Sequence, residues 1–215
     1  MMSTITVPSL VPLIGNINII DIRNSASYNN NHIPGAKNIE YSLLLNNPDK
    51  YLEKLGTLNT EFITFHPSTS KDPNKTIEKI KSLGINVGIA INPNEDIHMI
   101  DEYLDKIDLV LIMSVYPGKG GQEFIPEVLD KLDYLKDQNV IVSIDGGINN
   151  ETIKLIADKK IDIIVSGSYV CSSDDFDEQI DILKTIYWTS KIVSKKWQSN
   201  KYYKKSWIYC FKKHI

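Results

Sequence analysis

From about residue 60 onward, short apolar runs alternate with amphipathic stretches. The runs are Phe62–Phe65, Asn86–Ile91, Leu109–Val115, Val140–Ile144 and Ile161–Val165. They are apolar nearly throughout, as strands buried on both faces should be. Between them lie Pro73–Leu83, Asp96–Ile107, Ile125–Gln138 and Asn150–Lys160. Ile77, Ile80 and Leu83 recur at three-residue spacing, and Val128, Leu129, Leu132 and Leu135 repeat the pattern. Each set predicts one buried helical stripe. Successive runs start roughly 20 to 30 residues apart, the size of a βα unit. Strand then helix, repeated, predicts a parallel sheet with functional residues clustered where strands end.

Those ends read His66, Asn92-Pro93, Tyr116–Gly121, Asp145-Gly146-Gly147 and Ser166-Gly167-Ser168. The stretch Leu109–Phe124, LVLIMSVYPGKGGQEF, carries the most information. An apolar run stops at Tyr116-Pro117, a turn follows at Gly118-Lys119-Gly120-Gly121, and a helical pattern starts near Phe124. Without Cβ atoms at those glycines, backbone N–H groups can approach an anion closely. A phosphate at a strand-to-helix turn is the natural reading.

Residues 1–59 are patterned differently. Asn18–Ile22 reads as a strand, Asn24–Asn31 is polar, and His32–Ala36 is a turn followed by a short extension, Asn38–Ile39. Pro48–Leu58 reads as a helix with Tyr51, Leu52, Leu55 and Leu58 inward.

Composition adds one boundary. With 42% apolar and 24% charged residues, the chain suits a soluble globular protein. No apolar run approaches the roughly 20 residues of a membrane span, and the first residues lack a basic secretory n-region. Two cysteines, Cys171 and Cys210, make no disulfide framework, so a cytoplasmic location is expected. Residues 1–186 hold 16 Lys+Arg against 27 Asp+Glu, a net of −11, whereas residues 187–215 hold eight lysines and no acid. That last segment also holds Trp188, Trp197 and Trp207, with no clear amphipathic period. Interleaved aromatic and basic residues suit nucleic acid or an anionic surface. They equally suit a disordered extension, and no specific nucleic-acid partner is expected.

The pieces FITFH (62–66), GIAINP (88–93), LVLIMSVYPGKGGQEF (109–124), SIDGGIN (143–149) and SGSYV (166–170) together resemble the ribulose-phosphate 3-epimerase family. That family has a (β/α)8 TIM barrel and interconverts D-ribulose 5-phosphate and D-xylulose 5-phosphate in the pentose phosphate pathway. The resemblance covers about residues 60–186. Asp21–Arg23, Tyr28 and HIPGAKNI (32–39) resemble the start of a rhodanese domain, over about residues 1–52. The expected architecture is therefore an α/β chain. Residues 1–52 would be a rhodanese-like strand-turn-helix fragment and 53–186 an incomplete TIM barrel of roughly its last five βα units. Residues 187–215 would be a basic aromatic tail.

The resemblance implies a site. Inverting a carbon beside a ketone needs a base on one face and an acid on the other. The family uses two aspartates and a divalent metal (Zn, Fe, Mn or Co) that stabilises an enediolate. Asp145 matches one aspartate, which is also a metal-ligand position. The second aspartate, two metal-ligand histidines and a loop serine have no counterpart here, which implies impaired turnover. Gly118, Lys119, Gly120, Gly121, Gly146, Gly147, Gly167 and Ser168 match positions that contact the sugar phosphate. Lys119 stands where the family has an aromatic; it either attracts phosphate or is a solvated loop residue. Met113 matches a methionine beside the substrate and reads equally as strand core. Taken alone, Asp145 reads as a turn former, since Asp-Gly is a common turn pair. His66 reads as structural or hydrogen-bonded rather than as a metal ligand. In the rhodanese family the nucleophilic cysteine is followed by an arginine. Arg23 is the chain's single arginine, so neither cysteine begins such a loop. An open half-barrel also leaves unpaired strand edges, which favours self-association.

Overall fold

All five apolar runs become strands. The computed structural model describes residues 20–21, 29, 37–38, 52–57, 60–118, 121–193 and 207–209. Two compact units are present, Ile5–Ile89 and Ala90–Ile215, the latter grouped with residues 1–4.

In the unit that starts at Ile5, β1 (Ile20–Asp21) pairs in parallel with β2 (Lys37–Asn38). The other residues of the expected strand at Asn18–Ile22, and Ile39, lie outside the described residues. Helix α1 (Leu52–Gly56) is the described part of the helix expected at Pro48–Leu58, and its Leu52 is fully buried. Next come β3 (Phe62–Phe65), α2 (Pro73–Ser82) and β4 (Asn86–Ile91). β3 and β4 run parallel, with Phe62 opposite Asn86 and Phe65 opposite Ile89. α2 starts cleanly because Asp72 accepts the Lys75 N–H at 3.2 Å and Pro73 occupies the first turn. The Lys75 contacts hold the Asp72 carboxyl below its usual range. The predicted stripe is inward at Ile77 and Ile80, and α2 ends before Leu83 and the left-handed Gly84.

The unit boundary falls inside β4, whose Ala90 and Ile91 belong to the second unit. There, β5 (Leu109–Met113), β6 (Ile141–Asp145) and β7 (Ile163–Val165) are parallel neighbours in that order. Val110, Ile112, Val142, Ile144 and Ile164 are buried and form the centre of this sheet. Their burial explains the nearly continuous apolar character of the runs.

The connecting segments are tighter than expected. Ile97–Lys106 is a 3-10 helix rather than an α-helix, as is Thr152–Ile156. In the expected helix Ile125–Gln138, the α-helical part is α3 (Leu129–Tyr134), flanked by 3-10 turns at Pro126–Val128 and Leu135–Asp137. Strict three-residue spacing accounts for the first case. Ile97, Ile100 and Tyr103 are all buried, and a 3-10 helix stacks residues i and i+3 in one straight row.

Beyond β7 come α4 (Ser168–Cys171) and α5 (Phe176–Val193). The composition break after Ile186 is not an element boundary, because α5 runs through it. Tyr187 is buried beside Leu183 and donates its hydroxyl to the Ile161 carbonyl at 3.2 Å. The first tail residue is thus core, and its hydroxyl is paired with a backbone carbonyl. Farther on, β8 (Trp207–Tyr209) pairs in parallel with β7. Cys171 is disulfide-bonded, against the expectation that the two cysteines make no disulfide framework; Cys210 is the sequence's one other cysteine. No helix among the described residues is long and apolar enough to cross a membrane.

Ile144 is fully buried in the middle of β6. Ile144→Ala should cost about 2–5 kcal/mol, read as a lower urea midpoint in equilibrium denaturation.

Candidate active site

The ends of β5 and β6 are locked to each other by backbone. Ser114 follows β5 directly, is fully buried, and donates its N–H to the Asp145 carbonyl at 2.8 Å. Its hydroxyl donates to the Gly146 carbonyl at 2.6 Å, and its own carbonyl accepts the Ile125 N–H at 2.8 Å. One serine therefore ties the end of β6 to the start of the segment leading into α3. The two glycines after Asp145 make this possible. Gly146 has φ +127° and Gly147 has φ +64°, both rare for residues with a Cβ. A Cβ on Gly146 would lie 2.6 Å from a Val115 methyl, and one on Gly147 would lie 2.6 Å from the Phe124 backbone nitrogen.

The same device recurs at β7. Ser166 is buried, and its hydroxyl donates to the Ile148 carbonyl at 2.7 Å. The loop after Gly147 is closed by Thr152, which donates to the Gly147 carbonyl at 2.8 Å and accepts the Asn149 N–H at 2.9 Å. The three strand-end loops are rigid where their backbone must hold position. Ser114 and Thr152 were not singled out from the sequence, and Ser166 was read there as part of a strand end without a role of its own. Ser166 immediately follows its apolar run and Ser114 is the first polar side chain inside its run, and that was the available signal.

The sequence-predicted residues divide as follows. Gly118 (φ +121°) and Gly121 (φ +72°) flank a turn whose Lys119 and Gly120 lie outside the described residues. Gln122 braces this turn by donating its side-chain amide to the Tyr116 carbonyl at 2.6 Å. Gly167 precedes α4 and accepts the Cys171 N–H at 2.9 Å; Ser168 begins that turn and is exposed. Met113, Asp145 and Val165 stand in register across β5, β6 and β7. Met113 and Asp145 are half-buried at the strand ends. His66 belongs to the other unit.

Asp145 is the electrostatic centre. Burial alone pushes its carboxyl up to about 6. Desolvation penalises the charged form, and neither a cation nor a second carboxylate contributes. Among the described residues, no group of three or more His, Cys, Asp or Glu side chains lies together. A divalent ion bound by oxygen and nitrogen ligands needs several such donors, so the described donor set does not fit the metal that the family resemblance implies.

A parallel α/β sheet with its polar and glycine-rich residues at the strand ends is the arrangement of phosphate-binding barrels. A solved structure of 3-hexulose-6-phosphate synthase from Salmonella typhimurium superposes with a TM-score of 0.56 at 14% identity, covering 88% of this chain and 97% of that one. That likeness defines the fold class, and sequence defines the family. The family model described as Ribulose-phosphate 3 epimerase family matches residues 18–171. The chain belongs to the ribulose-phosphate 3-epimerase family. The ribulose-phosphate 3-epimerase of Buchnera aphidicola is 40% identical over 148 residues, 64% of this chain and 65% of that protein. The Escherichia coli K12 protein of that name is 32% identical over 153 residues, 68% of each chain. The chain thus spans about two thirds of the length of these curated relatives. The family match begins at residue 18, so it takes in most of the stretch 1–52 that was expected to be a rhodanese-like fragment.

Two outcomes follow from this geometry. Gly147→Ala should destabilise the unit by roughly 2 kcal/mol or more, from left-handed strain plus a backbone clash, measured as a shift in thermal midpoint. Asp145 should make stability fall with rising pH. The unfolded chain ionises this carboxyl near its ordinary value of 3.8, before the folded chain does near 6. The native state therefore binds the extra proton between those values and loses stability through that window. Asp145→Asn should raise stability at pH 8, by up to about 3 kcal/mol, and leave it unchanged near pH 3. Melting curves of both proteins at the two pH values test the sign.

Proposed function

We propose that this chain binds a sugar phosphate at the ends of β5, β6 and β7 and turns it over poorly or not at all. The observation that carries this reading is the interlock of the glycine loops around a desolvated Asp145. Backbone held in that shape offers N–H groups to a phosphate without rearrangement on binding. The family's substrates are D-ribulose 5-phosphate and D-xylulose 5-phosphate, and Asp145 stands at one of its two acid–base positions.

The chemistry asks for more than this. Proton removal on one face and return on the other need two groups. Asp145 is one, and its raised pKa suits proton exchange near neutral pH. The second aspartate and the histidine ligands of the family motif have no match in the sequence. A bound divalent ion would supply charge stabilisation to the enediolate; Asp145 is the single family ligand position present here. A phosphate-binding remnant or scaffold is the reading in which turnover is zero. Sulfur transfer draws no support, because Cys171 is disulfide-bonded and no arginine follows either cysteine.

Calorimetric titration with D-ribulose 5-phosphate, alongside an epimerisation assay with and without added divalent metal, tests the proposal. Saturable binding independent of metal, with turnover far below that of a full-length relative, is the expected result. Metal-dependent turnover matching such a relative, and lost in Asp145→Asn, would overturn it.

A further inference from the structure

Lys131 is the one charged side chain that is buried among the described residues. It lies on α3, after the Gly118–Gly121 turn, and reaches back to the loop that follows β4. Its ammonium donates to the carbonyls of Asn92 at 2.7 Å, Pro93 at 2.9 Å and Glu95 at 2.6 Å. A neutral amine has two N–H donors, so three acceptors require the charged form. Burial lowers the Lys131 pKa, while Glu95 and Asp96 pull against that shift. The loop also closes on itself. Glu95 accepts the Asn92 N–H through its carboxylate at 2.7 Å and donates its own N–H to the Asn92 carbonyl at 3.2 Å.

Asn92 is thus pinned at both its N–H and its carbonyl, at the C-terminal end of a strand. Its side-chain Oδ1 is buried and has no hydrogen-bond partner. An unpaired buried acceptor is costly, and native structures keep such groups where something else supplies the donor. The bland alternative is that Lys131 merely staples a loop. A staple accounts for the three carbonyls, but it does not account for the orphaned oxygen at the strand end.

We propose that Asn92 is a ligand-binding residue, accepting a hydrogen bond from a hydroxyl of a sugar phosphate, and that Lys131 is the positioning residue that holds it. The proposal rests on the sugar-phosphate reading above. An acceptor oxygen takes a hydroxyl and repels a phosphate dianion, so Oδ1 of Asn92 reads the sugar and not the phosphate.

The test is calorimetric titration of the full chain with D-ribulose 5-phosphate and, separately, with inorganic phosphate. Wild type is compared with Asn92→Ala, Lys131→Met and Lys131→Arg. Asn92→Ala should weaken sugar-phosphate binding about tenfold and leave inorganic phosphate unchanged. Lys131→Met should give the same selective loss, with faster hydrogen exchange at the Asn92 amide. Lys131→Arg, which keeps the charge, should recover part of the affinity. Equal losses for both ligands, or no loss in Asn92→Ala while wild type binds the sugar phosphate, would overturn this inference alone. Failure of wild type to bind either ligand would overturn it together with the sugar-phosphate reading. If Lys131→Met does not fold, the selectivity of Asn92→Ala and the exchange rate in Lys131→Arg still decide the two halves.

Discussion

Everything at the candidate site depends on two residues adopting backbone that a side chain would forbid. Gly146 and Gly147 turn the chain away from β6 in a left-handed path, and the atoms of Val115 and Phe124 fill the space where their Cβ atoms would be. That close approach lets Ser114 bond both the last residue of β6 and the first glycine after it. The loops therefore carry little conformational freedom of their own. A ligand arriving there meets a surface whose ordering entropy was lost on folding rather than on binding. Replacing either glycine would disturb two strand ends at once: a Cβ at Gly147 would meet the Phe124 backbone, and one at Gly146 would meet both the side chain and the backbone nitrogen of Val115.

Asp145 carries the opposite sign in the energetics. The sheet that positions it also strips water from it, and no charge compensates. A group that weakens the fold in its ionised state persists where chemistry uses it. The same logic applies with reversed polarity at Lys131, where burial is offset by three carbonyl dipoles. The half-buried Asp145 carboxyl bears the cost of its desolvation, whereas the buried Lys131 ammonium is met by three backbone carbonyls.

Much of this was legible from residues alone. The strands Phe62–Phe65 and Asn86–Ile91 appear with the bounds that their apolar runs suggested, and β5 to β7 differ by one or two residues at their ends. Burial on both faces writes itself directly into composition. Asp145 and its glycines were singled out because the order and spacing of the motifs match the family, and they lie at the end of β6. What was not legible depends on distance in three dimensions. Lys131 looks in sequence like any surface lysine on an amphipathic helix, and its partners lie 36 to 39 residues earlier. Tyr187 looked like the first residue of a basic tail, and only packing against the Ile161 segment makes it core. Helix type was misjudged for a different reason, because a three-residue apolar repeat fits both an α-helical stripe and a 3-10 row over short stretches.

The 3-10 geometry of Ile97–Lys106 has a consequence for reach. A 3-10 helix rises about 2.0 Å per residue against about 1.5 Å for an α-helix. Its ten residues therefore carry the chain roughly a third farther along the axis than the same number would in an α-helix. Overstretching the helix keeps the return path between Ile91 and Leu109 short. A single-residue deletion there removes about 2 Å of travel, leaving little slack in the linkage that ends at the Asn92 loop and begins again at β5.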